Sequence, residues 1–170
     1  MPEKPIEVII LKEKAVFRLD ARGRWCNVHG VFRNRRISNY FHASIRRDEG
    51  GYFVYQERGD IIEKVYFPYE DAALFVVEVE VGAHPRLRLN TRREVLLDPE
   101  NLFVAGESLY MAQDGERIKF SERAMLKLAE MMEFTDEGYF ITAQGRRHRI
   151  REIVAEDTGP NHIKKEDPYV

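Results

Sequence analysis

One order of segments runs twice through this 170-residue chain, and that repetition constrains the fold more than any single motif does. "RRDEGGYFVYQ" (46–56) and "MEFTDEGYFITAQ" (132–144) each close an amphipathic stretch with charges, pass an acidic pair and glycine, then open a strand on tyrosine and phenylalanine. Upstream of the first, "RWCNV" reads as a strand and "HG" (29–30) as a tight turn. Ser38 then offers a hydroxyl to amides freed at a helix start. Ile37, Phe41 and Ile45 recur at i, i+4 and i+8 along one helical face. The helix predicted over about 38–47 stops at "DEGG", where glycine tolerates a left-handed helix end. Upstream of the second, "SLYMA", "DG" (114–115) and "ERIKF" lead to Ser121 as an N-cap. A longer helix over about 121–133 carries Ala124, Leu128, Met131 and Met132 on one face. "EGYFITA", a turn at Gly145 and "HRIREIV" complete the second unit. Because the two predicted helices differ in length, the halves align only with a gap.

The repeated order predicts an α+β fold by internal duplication: two similar units, each a curved antiparallel sheet packed on one helix. The first spans 1–97, the second 98–155, and the polar tail over 156–170 is expected to be mobile. Further strands are expected at "IEVIIL" (6–11) and "KAVFRL" (14–19), and "ERGD" joins "GYFVYQ" to "IIEKVYF" as a hairpin. In "ALFVVEVEV", Val77, Val79 and Val81 alternate with Glu78 and Glu80; in "RLRLN", Leu87 and Leu89 alternate with Arg86 and Arg88. If these two strands pair, their acidic and basic outer faces meet across the ladder.

Composition removes several function classes. Lys plus Arg (27) nearly balance Asp plus Glu (29), so no global charge pulls the chain toward nucleic acid or anionic lipid. A single cysteine, Cys26, excludes an internal disulfide framework and a Cys-rich zinc site. No apolar run reaches the ~20 residues of a membrane helix, and the start lacks a secretory pattern, so a soluble cytoplasmic protein is expected. The histidines (29, 42, 84, 148, 162) never fall at metal-ligand spacing, and neither metal nor cofactor is expected. "DTG" (157–159) stands once, in a polar tail, whereas aspartic-protease chemistry needs two such loops.

Four features carry what chemistry remains. Cys26, beside Trp25, would need a base in reach and a lowered pKa to act as a nucleophile. The arginine clusters at 33–36, 46–47, 86–88, 92–93 and 146–151 suit a carboxylate or phosphate where they face a cleft. Tyr52, Phe53, Tyr55 and Tyr66 interleave with basic segments, the pattern of a single-strand RNA binder. In "EKVYFPYEDA" (63–72), Glu63, Lys64, Glu70 and Asp71 bracket an aromatic and proline bend. Glu70 and Asp71 are adjacent on an extended segment, so they point opposite ways and do not form an acid–base pair by spacing.

That last segment resembles the Glu-Lys-Val, spacer, Glu-Asp-Ala stretch of the uncharacterised bacterial family DUF1285. Trp25 in a strand, the Gly30 turn, Arg36-Ile37 at a helix entry, Phe41, Ala43, Ser44, Ile45, Arg46 and Arg47 as "F-x-A-S-I-R-R", and an acidic-Gly strand start extend the resemblance over about residues 20 to 81. This chain lacks the family's Thr-Pro-Val before Glu-Lys, and Ala73-Leu74-Phe75 stands where the family has Pro-Phe. The resemblance implies an α+β protein of two similar β-rich units. For a ligand between them it implies Trp25, Arg36, Glu63, Lys64, Glu70 and Asp71 as binding residues, with no enzyme activity implied. The sequence therefore favours a non-enzymatic binding or regulatory module for a small anionic ligand or a protein partner. An RNA binder, or an enzyme using Cys26 or Glu70 and Asp71, is the alternative.

Overall fold

The computed structural model describes residues 3–154; the tail expected to be mobile over 156–170, with its "DTG", lies outside them. The described residues form a β-rich α+β fold with two α-helices and several sheets. They divide into two compact units: residues up to Ala73 with Asn90–Arg92, and Leu74–Leu89 with residues from Arg93 onward.

In the first unit β1 (Ile6–Ile10) leads to a short meander of β2 (Arg18–Leu19), β3 (Trp25–Asn27) and β4 (Gly30–Val31). The strand expected over 14–19 is reduced to its last two residues. Lys14 and Ala15 donate to the carbonyls of Leu11 and Lys12 in a turn of 3-10 helix, which withdraws them from a ladder. Helix α1 (Arg35–Ala43) follows, then the antiparallel strands β5 (Ile45–Asp48), β6 (Gly51–Arg58) and β7 (Ile61–Tyr66), with β1 added in parallel on β7.

The cap of α1 is Asn34, not Ser38: Asn34 Oδ1 accepts from the amides of Arg36 (3.0 Å) and Ile37 (3.3 Å). The helix also ends earlier than predicted. Ser44 Oγ donates to the Tyr40 carbonyl (2.7 Å), and Ile45 is a buried strand residue opposite Val54. Apolar residues every fourth position ran through a helix–strand junction, which periodicity alone cannot separate.

The second unit contains β8 (Leu74–Glu80), β9 (Arg86–Leu89), β10 (Glu94–Leu96), β11 (Leu102–Ala105), β12 (Ser108–Gln113) and β13 (Glu116–Phe120). Ser121 caps α2 (Glu122–Leu128) as expected, its Oγ accepting from the Ala124 amide (3.2 Å). A 3-10 turn then delivers Met132 into β14 (Met132–Thr135), so the helix predicted to 133 stops short. β15 (Gly138–Ala143) and β16 (Arg146–Arg149) complete a three-stranded sheet with β14. "HRIREIV" breaks at buried Ile150, and β17 (Arg151–Ile153) leaves to pair in parallel with β11.

The larger sheet therefore has the order β10-β9-β8-β13-β12-β11-β17. Glu78 opposes Arg88 and Glu80 opposes Arg86 between β8 and β9, and the Arg88 guanidinium pairs with the Glu78 carboxylate. The expectation of purely antiparallel sheets is corrected: β1/β7, β8/β13 and β11/β17 are parallel. Such pairs need long crossover connections, which local turn signals do not reveal.

Within each unit the element order is meander, capped helix, meander. Gly51 follows Asn34 by seventeen positions and Gly138 follows Ser121 by the same number, so no gap is needed there. Both glycines open their strand at positive φ (113° and 126°), a backbone state that side chains resist. Phe53 and Phe140, each two residues further on, are buried. After each second meander the chain returns parallel to the first strand of the first meander: Tyr69 bridges Leu19, and β17 pairs with β11.

Candidate functional site

Helix α1 brings Arg36, Ile37, Tyr40 and Phe41 to one side, since positions i, i+1, i+4 and i+5 share a face. Phe41 is held edge-on by Phe17 (centroids 5.0 Å), Trp25 (5.5 Å) and Phe32 (5.5 Å), which fixes the helix against the core of its unit. Gln56 and Arg58 rise from alternate positions of β6 and close the opposite wall. The result is an open groove of about 430 Å³, within the size range of small-ligand sites. Ile37 and Tyr40 are half-exposed apolar walls. Gln56 is buried, and its Oε1 accepts from Arg58 Nη2 (3.1 Å), which ties the guanidinium to the groove wall.

The charges of the groove are unneutralised. Arg18, Arg24, Arg88, Arg93 and Arg147 all face carboxylates. Arg36 and Arg58 form no ion pair among the described residues. A larger groove of about 660 Å³ runs between α2 and β8, but its charges are mostly matched: Lys127 faces Glu130 (3.1 Å) and Glu78 faces Arg88.

The six residues singled out by sequence do not converge. Arg36 lines the groove, and Glu63, opposite Gln56 in the β6–β7 ladder, shares that sheet face. Lys64 points to the other face, where it meets Glu7 (3.1 Å) and Asp48 (3.9 Å). Glu70 is exposed; its Oε2 accepts from the Ala21 amide (3.1 Å), and Oε1 lies 3.9 Å from Arg18 Nε. Asp71 is half-buried beside it in the chain. Trp25 is 1% exposed, a core residue rather than a groove wall. Gln56 and Arg58 were missed. Their signal was a glutamine on the buried parity of a strand, which the hairpin's alternation contained.

The residues of the alternative readings are committed elsewhere. Asp20 Oδ1 accepts from the amides of Arg22 and Arg24 (both 2.9 Å), and Oδ2 from Arg24 Nε (2.8 Å). Burial pushes that carboxyl up, but the Arg24 and Arg22 contacts outweigh it and leave it below its ordinary value. Buried Cys26 lies next to this carboxylate (3.9 Å); burial, then the Asp20 charge, pushes the thiol up, the opposite of what a nucleophile needs. Among the aromatics, Phe53 is buried, Arg46 covers the Tyr55 ring (3.7 Å), and the Tyr66 hydroxyl donates to Asp48 (2.7 Å). No three His, Cys, Asp or Glu side chains among the described residues gather as a metal shell. No helix among them is long and apolar enough to cross a membrane.

A DUF1285 family protein from Silicibacter pomeroyi DSS-3 superposes on this structure with a TM-score of 0.58, over 86% of this chain and 83% of that one, at 14% identity. The chain shares the fold of that DUF1285 protein. A second DUF1285 protein, from Shewanella baltica OS155, gives a TM-score of 0.49 over 70% of this chain and 94% of its own, at 16% identity. No family model and no curated protein matches the sequence. The family resemblance read from residues 20–81 is thus met by the Silicibacter pomeroyi protein, at the level of fold. Within this fold the groove beside α1 is open and carries two arginines.

Behind it lies one titratable group that the core has taken in. His42 packs against Trp25 (centroids 5.6 Å), and its Nδ1 is 3.2 Å from Asn90 Nδ2. Asn90 Nδ2 also donates to the Ala73 carbonyl (3.1 Å). As neutral imidazole, Nδ1 accepts from that amide while Nε2 carries the proton. Burial pushes the ring down to about 4.

Proposed function

We propose that the chain is a non-enzymatic binding module whose first unit takes a small anion with an apolar body in the groove beside α1. The observation behind this is the pair Arg36 and Arg58, without carboxylate partners, set over Ile37, Tyr40 and Phe41. A guanidinium offers two parallel donors to a carboxylate or phosphate. The ring of Tyr40 and the side chain of Ile37 supply area for the rest of the ligand, and Gln56 pre-orients Arg58, which reduces the ordering cost of binding.

A thermal-shift panel of phenylacetate, phenyl phosphate, inorganic phosphate and a short single-stranded RNA tests the proposal. An aromatic anion is expected to stabilise the protein. Its affinity should fall at least about tenfold in Arg36→Ala and Arg58→Ala, as loss of a charge-assisted contact requires, and hold in Arg146→Ala. No shift at millimolar ligand, or equal binding by both groove variants, would remove the groove from consideration.

We infer further that the two units are copies of one ancestor. Supporting this are the ungapped spacing of cap and strand glycine, the buried pair Phe53 and Phe140, and the matching places of Arg36 and Arg123 two residues after each cap. In a crystal structure, residues 24–66 should superpose on 108–154 with the same strand order. A different order would end the idea.

A further inference from the structure

We propose that two copies of this chain pair through the free edge of β1, in antiparallel order about a twofold axis at Val8. β1 is the outermost strand of its sheet, bonded on one side to β7. It is unusually bare for such a strand: Ile6 is 64% exposed, Val8 38% and Ile9 55%. Natural edges of this kind are ordinarily charged, bulged, covered or paired. The sole charge within β1 is Glu7, and Lys64 of the neighbouring strand already meets it at 3.1 Å.

Backbone direction selects the partner and its register. The Ile6 amide donates inward, to the Asp60 carbonyl (2.7 Å), and backbone groups alternate sides along a strand. Val8 and Ile10 therefore also face β7, while the amides and carbonyls of Glu7 and Ile9 face outward. Pro5, which has no amide hydrogen, precedes the strand. Antiparallel pairing about Val8 sets Glu7 opposite the second copy's Ile9 and Ile9 opposite its Glu7. All four outward amides then find carbonyls.

The side chains fit the same register. On one face Ile6 meets the second copy's Ile10, and Val8 meets Val8, joining exposed apolar surfaces. On the other face the second copy's Glu7 comes to lie beside Ile9, whose neighbour in the ladder is Lys64. Each lysine then stands between two carboxylates, its own and its partner's. The product is an eight-stranded sheet with β5 at both outer edges; both β1 edges are then used, so pairing through them stops at two copies.

Light scattering on the eluting protein, from low micromolar to several hundred micromolar, should give twice the chain mass at the upper end. Val8→Lys, at a site exposed in the single chain, should halve that mass with unchanged circular dichroism. Val8→Cys should cross-link to itself under mild oxidant, because a non-hydrogen-bonded antiparallel pair holds Cα atoms about 4.5 Å apart, within disulfide range. Wild type, with buried Cys26, and Val28→Cys on an exposed turn serve as blanks. Should Val8→Lys misfold, the cross-link decides. A single-chain mass at every concentration, or a dimer that keeps its mass in Val8→Lys and yields no Val8→Cys cross-link, overturns the proposal.

Discussion

Replacing Trp25 with alanine should lower stability by about 3–5 kcal/mol, the usual cost of truncating a buried tryptophan. The indole is surrounded edge-on by Phe17 (5.5 Å), Phe41 (5.5 Å) and Phe67 (4.9 Å), with His42 on a further side. Alanine would leave a cavity walled by rings that sit on different elements and cannot collapse together. The indole Nε1 is buried without a hydrogen-bond partner, so Trp25→Phe sheds an unsatisfied donor along with part of the ring. It should cost far less than alanine. Leu126→Ala, at an exposed site of α2, should change stability by no more than about 0.5 kcal/mol. Urea unfolding followed by far-ultraviolet circular dichroism measures all three. A Trp25→Ala midpoint close to wild type would mean that the aromatic cluster does not hold the unit together.

Acid should weaken the first unit well before ordinary carboxylates titrate, and His42 is the cause. Its imidazole titrates near 4 in the folded chain because of burial, against 6.5 for a free ring. The unfolded chain therefore binds the extra proton first, and stability rises with pH wherever that holds. Above about pH 6.5 the buried neutral ring costs nothing. Between 6.5 and 4 stability falls, by a total on the order of 3 kcal/mol. Asp20, whose carboxyl is held below its ordinary value, adds its own loss only under more acidic conditions. His42→Gln should flatten the profile between pH 6.5 and 4 while leaving the more acidic limb. If wild type and His42→Gln show parallel profiles across that interval, the ring is not titrating as a buried base.

Much of the architecture could be read from the chain, and the failures share a physical origin. Strong local signals were reliable: Ser121 caps α2, alternation put Glu78 and Arg88 on the outer faces of their strands, and the "GYF" segments open strands. Asn34 and Ser38 both cap helices well, and only the closing of the first turn distinguishes them. Ile45 satisfied a helical stripe and a strand equally. Parallel pairings such as β8 with β13 are contacts between distant segments and leave no local mark. The candidate site was legible in part. Arg36 stood at a helix entry within the family-like stretch, but its partners Gln56 and Arg58 come from β6, and only the folded hairpin faces them toward α1. Trp25, the most conspicuous residue of the sequence, belongs to the core.

A nitrogen–proton correlation spectrum that resolves arginine side chains, recorded while phenylacetate is added, would examine the groove most directly. Arg36 and Arg58 Nε signals should move together with the amides of Ile37, Tyr40 and Gln56, along one saturable curve that Arg58→Ala abolishes. Shifts confined to the arginines at 146–151, or none up to millimolar ligand, would contradict a binding site beside α1.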